Sequence, residues 1–178
     1  KPDISLIKKI DNIIFPGIGN FNFVMKNIRD KGFDDFILEF VNKKKPILFI
    51  CIGMQILLET SEESNNSIGL GIIKGKVKKI PSDKKNFRPV PINGWNSINI
   101  NKRNKIFSNI QSKNLNFYFT HSYYCDVKDK NIIDSETNYK GHKYCASLSY
   151  KNIYAFQFHP EKSAENGLSL YRNFCRID

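Results

Sequence analysis

The sequence predicts one α/β domain over residues 1–178, with a parallel sheet at its core and an antiparallel extension. Three observations carry this. Ile47-Leu48-Phe49-Ile50 is an apolar run without polar alternation, as expected of a strand buried on both faces in a parallel sheet. Phe23, Val24 and Ile28, then Phe33, Phe36, Ile37 and Phe40, recur at helical spacing on its N-terminal side. The second half changes to short, partly alternating segments bounded by turn residues.

Along the chain, Asn12-Ile13-Ile14-Phe15 reads as a short strand stopped by Pro16-Gly17-Ile18-Gly19, a turn with two permissive glycines. The helical stretch that follows is interrupted near Gly32. Pro46 opens the buried strand, after which Ile52, Gln55, Ile56 and Glu59 can follow a helix. Strands are then expected at 71–73, 77–80, 97–100 and 115–119. Ala146 to Tyr150 and Ile153 to Phe158 form a pair joined at Lys151-Asn152, and a helix from Leu168 to Phe174 closes the chain. No internal repeat or low-complexity linker interrupts this order.

Composition narrows the function classes. At 40% hydrophobic and 25% charged residues, the chain has a globular profile. No stretch approaches the roughly 18 apolar residues that a membrane helix needs, and Lys1-Pro2-Asp3 does not begin a signal peptide. The net charge of +11 is mostly lysine interleaved with asparagine. Its local runs, Lys43 to Lys45, Lys74 to Lys79, Lys84-Lys85 and Lys102 to Lys105, adjoin turns or strand ends. That pattern is read as a solvated surface and not as a nucleic-acid face. Cys51, Cys125, Cys145 and Cys175 have neither C-x-x-C pairing nor zinc spacing, so the chain reads as cytoplasmic with reduced thiols.

Cys51 stands where the buried strand gives way to a helix, followed by Ile52-Gly53. Such a turn lifts a nucleophile clear of the sheet and sets it beside backbone N–H donors. An ordinary thiol is only about 3% thiolate at neutral pH, so it needs a partner. A lone Cys in an apolar run is usually just a small buried hydrophobe. His159 and Glu161 change that balance. They end the strand Ala155-Phe156-Gln157-Phe158, and period-two geometry with Pro160 between them puts both on one side of the chain. A carboxylate there holds the imidazole tautomer while the other ring nitrogen faces the thiol. The combination points to a Cys-His-Glu hydrolase.

Five segments then carry a resemblance. They are Pro16 to Gly19, Pro46 to Gln55, Val90-Pro91-Ile92-Asn93-Gly94-Trp95-Asn96, Tyr118-Phe119-Thr120-His121-Ser122-Tyr123 and Gln157-Phe158-His159-Pro160-Glu161-Lys162-Ser163. In content and order they resemble the class I, triad-type glutamine amidotransferases, and within them the glutaminase subunits of imidazole glycerol phosphate synthases. The resemblance implies a flavodoxin-like, mostly parallel twisted sheet flanked by helices, with the site at the C-terminal strand ends. It also implies that Cys51, His159 and Glu161 are catalytic, and that Gly17, Ile18 and Ile52 surround the oxyanion. Gln55, His121, Ser122 and Tyr123 would bind L-glutamine, the last three through backbone. His121 is thus a second histidine near the site and not a base. Trp95, Asn96, Tyr118 and Lys162 would face an ammonia-using synthase (cyclase) subunit in a heterodimer. No metal, organic cofactor, nucleic acid or membrane is implied. His142 reads as a loop residue, and Cys125, Cys145 and Cys175 as incidental thiols.

Three departures from the family pattern stand out. Phe49 replaces a Gly two residues before the nucleophile, so packing beneath it must differ. Ile92-Asn93 replaces His-Met before Gly-Trp-Asn, which motivates an alternative partner, a sugar amidotransferase of surface-glycan biosynthesis. Only residues 1–15 precede the Pro-Gly loop, without the family's opening strand and Asp-Tyr-Gly-x-Gly-Asn turn, so the first strand is expected to be missing. A catalytically silent scaffold subunit is the alternative of another class.

Overall fold

In a computed structural model of the chain, residues 2–64, 67–83, 88–102, 104–110 and 115–177 are described. The lysine run at Lys84-Lys85 lies outside them. Strand β1 (Ile13–Phe15) leads through the Pro16-Gly17 loop into α1 (Phe21–Lys31) and α2 (Phe33–Asn42). The Asn20 side chain caps α1 by accepting from the N–H groups of Asn22 and Phe23. Gly32, at φ 70°, supplies the left-handed turn that ends α1 and starts α2. The buried stripe is Phe21, Met25 and Ile28, then Phe36, Ile37 and Phe40, whereas Phe23 and Phe33 point outward.

All four residues of β2 (Ile47–Ile50) are buried. Ile47 and Phe49 pack with the residues of α1 and α2, and Leu48 and Ile50 with Phe156, Phe158 and Phe174 on the other face. Phe49 lies against Phe15 with ring centroids 5.5 Å apart, which is how this chain fills the space under the turn at Cys51. Helix α3 (Ile52–Ile56) is shorter than the sequence pattern suggests: Glu59 leaves it, accepting the Gly75 N–H through its carboxylate beside β3 (Thr60–Ser61). With β4 (Ser67–Ile68), β5 (Gly75–Lys79) and β8 (Tyr123–Val127), β3 makes a small second sheet, and residues 71–73 are loop and bend, not strand.

The main sheet has the order β1-β2-β11-β10-β9-β6-β7, with β6 (Ile92–Ile100), β7 (Asn116–His121), β9 (Ile133–Tyr139), β10 (His142–Tyr150) and β11 (Ile153–Phe156). Only the β1–β2 and β2–β11 pairings are parallel; the other four are antiparallel. The expectation of a mostly parallel sheet is corrected to a mixed, curled one. The reason is loop length: Lys140-Gly141 and Lys151-Asn152 are two-residue hairpin turns, whereas a parallel crossover takes a dozen or more residues. Strand β6 pairs with β9 through Ile98 to Ile100 and with β7 through Ile92 to Ser97, so β7 curls back until Tyr118 bridges to His159 beyond the end of β11. Helix α4 (Ala164–Phe174) then packs under that closure.

Candidate active site

Cys51 occupies a strained position, φ 53° and ψ −108°, between β2 and α3. Its N–H donates to Phe156 O at 2.7 Å, tying the turn to the parallel neighbour β11. Small residues permit this geometry. A Cβ on Gly53 would meet Phe15 O at 3.0 Å, and one on Gly17 would meet the Ile52 side chain at 2.3 Å. The Pro16-Gly17 loop therefore lies directly on the turn, which sets Gly17, Ile18 and Ile52 around Cys51.

The thiol is 6% exposed. Burial pushes it up to about 12, the Ile52 N–H pulls in the opposite direction, and Glu161 adds to the upward push. The sequence suggests more help from the helix than the five-residue α3 provides. In this state the thiol donates to Thr120 O at 3.9 Å, and its sulfur accepts from the Gln157 amide at 3.8 Å.

His159 reaches the same end of the sheet because β11 runs parallel to β2, with Phe156 opposite Ile50. Its backbone N–H donates to Tyr118 O at 2.8 Å, two residues from the carbonyl that faces the thiol. Its Nδ1 lies 2.6 Å from Glu161 Oε1, and its Nε2 is buried without a hydrogen-bond partner among the described residues. The turn between them is clamped. Ser163 Oγ donates to His159 O at 2.6 Å and accepts from Tyr118 N–H at 2.9 Å. Glu161 remains 46% exposed, so its carboxylate stays hydrated on one side while orienting the ring on the other.

A cavity of about 450 Å³ opens over Cys51, walled by Ile18, Ile52, Gln55, Glu63, Thr120 and Lys162, with His121, Ser122 and Tyr123 along one edge. One carboxylate and one ammonium in its lining suit a zwitterionic ligand. The Gln55 amide is committed internally, donating to Tyr123 O at 2.9 Å and Gln157 Oε1 at 3.1 Å. His121 supports the same wall: its Nδ1 is 2.8 Å from Tyr123 O, and Tyr144 OH lies 3.3 Å from its Nε2. Since a carbonyl only accepts, Nδ1 carries the proton and Nε2 receives the tyrosine hydroxyl. Burial holds His121 down at about 4, so it is neutral at physiological pH and structural.

That depression has a consequence for stability. A histidine lowered from 6.5 to about 4 stabilises the fold above pH 6.5, and the contribution is lost as pH falls through that interval. The loss is expected to reach on the order of 2 kcal/mol by about pH 5. Urea midpoints measured across this range should fall less steeply in His121→Gln than in the parent.

The four residues expected at a partner face do not share one surface. Trp95 is 56% exposed and packs edge-on against Tyr118 with centroids 6.1 Å apart, and Lys162 Nζ lies 5.6 Å from the Tyr118 ring. Asn96, one residue along β6, falls on the other face, where it donates to Thr137 Oγ1 at 2.7 Å. Tyr118 OH donates to Asn93 Oδ1 at 2.8 Å, so the divergent Asn93 shapes this exposed patch. His142 begins β10 and stacks among Tyr124 and Tyr144 instead of lying in a loop. Cys125 and Cys145 are buried in the core, and Cys175 is exposed. Sequence reasoning assigned no role to Thr120, Glu63 or Gln157, although Thr120 and Gln157 stand within two of the five quoted segments. Among the described residues no group of three or more His, Cys, Asp or Glu could hold a metal, and no helix is long and apolar enough to cross a membrane.

The model of the class I glutamine amidotransferase family matches residues 3–177. This chain is a class I glutamine amidotransferase. The amidotransferase is 44% identical over 173 residues to the imidazole glycerol phosphate synthase subunit HisH of Leptospira borgpetersenii, covering 96% of this chain and 83% of that protein. It is 45% identical over 171 residues to HisH of Pyrococcus furiosus, covering 96% and 84%. HisH 1 of Methanococcus maripaludis is 43% identical over 178 residues, covering 98% and 85%. Solved structures share the fold at lower identity. Thermotoga maritima PurLQS matches with TM-score 0.69 at 18% identity, over 93% of this chain and 78% of that one. The glutaminase domain of Trypanosoma brucei CTPS matches with TM-score 0.63 at 17%, over 98% and 75%.

Proposed function

We propose that this amidotransferase hydrolyses L-glutamine to glutamate and ammonia through a Cys51 thioester, and delivers the ammonia to the cyclase subunit of an imidazole glycerol phosphate synthase in histidine biosynthesis. The observation that carries the chemistry is a thiol on a strained turn at the wall of a cavity, at the same sheet edge as a histidine held by a carboxylate. His159 Nε2 takes the thiol proton, and the sulfur attacks the side-chain amide carbon of glutamine. Backbone N–H groups near Gly17, Ile18 and Ile52 stabilise the oxyanion. The same nitrogen then protonates the leaving ammonia. A water that loses its proton to His159 cleaves the thioester, releasing glutamate and restoring the thiol.

The resting site is set against spontaneous turnover, because burial keeps the thiol protonated and it points its proton to Thr120 O and not to His159. Activation by a partner fits this state. The exposed Trp95, Tyr118 and Lys162 cluster lies beside the cavity, which Lys162 lines, and is the face offered to the synthase. The names of the HisH relatives support the histidine pathway. The divergent Asn93 in that face supports the second reading, a sugar amidotransferase partner.

The test is glutamine hydrolysis by the protein alone and with a cyclase subunit and its nucleotide substrate. Strong activation is expected. No activation, with Cys51 still labelled by a glutamine-like electrophile, would reject the histidine-pathway partner and favour the sugar amidotransferase.

A further inference from the structure

Gln157 belongs to none of the roles assigned above, yet it is wholly buried between Cys51 and Gln55. Its backbone N–H continues the hairpin ladder by donating to Ala146 O at 2.8 Å, so its position is fixed by the sheet. A chain of obligatory roles fixes its side chain as well. The Tyr123 carbonyl can only accept, so the Gln55 atom 2.9 Å from it must be the nitrogen. The Gln157 atom 3.1 Å from that nitrogen must then be the oxygen. What remains, 3.8 Å from the sulfur of Cys51, is the Gln157 NH₂ group, a donor with no capacity to accept.

We propose that Gln157 is a positioning residue of the glutaminase reaction, holding the Cys51 sulfur through its side-chain N–H and coupling it to Gln55 and the Tyr123 carbonyl. The inference rests on Cys51 being the nucleophile. Gln157 and His159 stand two residues apart at the strand end and serve the same sulfur differently. His159 removes the proton; Gln157 cannot take it, and its bond strengthens when the sulfur becomes negative. It therefore favours the thiolate and opposes the upward push of burial on Cys51.

The decisive comparison is kcat/KM for glutamine, measured from about pH 5 to 9 in the activated complex for the parent, Gln157→Met and Gln157→Glu. Methionine keeps the volume and loses the donor, so activity is expected to fall about tenfold or more across the range, matching loss of one charge-assisted bond. Glutamate separates positioning from packing. Its neutral acid accepts from Gln55 and donates to sulfur, and its ionised form cannot donate and repels the thiolate. The ratio of Gln157→Glu to parent activity is thus expected to start near one and fall steadily as pH rises. A folded Gln157→Met variant within twofold of the parent, or a flat ratio for Gln157→Glu, overturns the proposal. If neither variant folds, side-chain amide NMR of the parent decides. The Gln157 NH₂ signals, identified by contacts to the Gln55 side-chain amide, must move in Cys51→Ala, which removes the acceptor, and move less in Cys51→Ser, which keeps one. Signals that do not move overturn it. Labelling of Cys51 by 6-diazo-5-oxo-L-norleucine separates this failure from an error about the nucleophile, since labelling persists when only the role of Gln157 is wrong.

Discussion

Replacing Cys51 with alanine is expected to lower glutamine hydrolysis by at least about 10⁴-fold while leaving the fold and the binding of a synthase subunit intact. The expectation follows from the chemistry. Without the sulfur no thioester forms, and the remaining oxyanion donors supply only background acceleration. The fold should persist because the thiol touches Thr120 O and Gln157 without anchoring any strand, and the backbone bond from Cys51 N–H to Phe156 O survives the change. Partner binding should persist because Cys51 is buried and the exposed patch is made by Trp95, Tyr118 and Lys162. Residual hydrolysis above about 1% of the parent would contradict the assignment.

Gly167→Ala is expected to cost about 3 kcal/mol and to lower the thermal midpoint by roughly 6–10 °C, although the residue touches no substrate. A Cβ at this position would stand 1.8 Å from Pro160 O and 2.7 Å from Pro160 C. Those are backbone atoms of the turn between His159 and Glu161, so no flexible side chain can move aside. Either α4 shifts outward, opening the core at Leu170 and Phe174, or the turn moves and separates Glu161 from the His159 ring. Both routes reduce activity as well as stability. Thermal unfolding followed by circular dichroism checks the first effect, and glutamine hydrolysis at a temperature where the variant is folded checks the second.

The parts of this molecule that the sequence makes legible are those where neighbours in the chain are neighbours in the site. Ile47 to Ile50 announces a doubly buried strand because every residue is apolar, and Cys51 follows it by one position. His159 and Glu161 are two residues apart, and the structure places Nδ1 of one 2.6 Å from the other. Elements whose burial is polar were hidden. Strand β9 escapes a reading of hydrophobic alternation because its buried positions include Asp134, Ser135 and Thr137. Two of them are satisfied from afar: Ser135 Oγ meets Ser147 Oγ at 2.6 Å, and Thr137 Oγ1 donates to Ser97 O at 2.7 Å. The curl of the sheet was hidden too, because it depends on β6 exchanging partners midway along its length. Gln157 was concealed for the opposite reason, sitting among Phe156 and Phe158 in what reads as plain core strand.

Trapping the covalent intermediate tests the central claim most directly. The amidotransferase, in complex with an activating synthase subunit, is mixed with glutamine labelled with carbon-13 at its side-chain carbonyl and quenched in acid. The peptide around each cysteine is then weighed. A labelled glutamyl adduct on the peptide carrying Cys51, absent in Cys51→Ala and accumulating in His159→Ala only to the extent that attack still occurs, is the expected result. Ammonia release at the full rate with no label on Cys51, or label on Cys175 alone, would contradict the account.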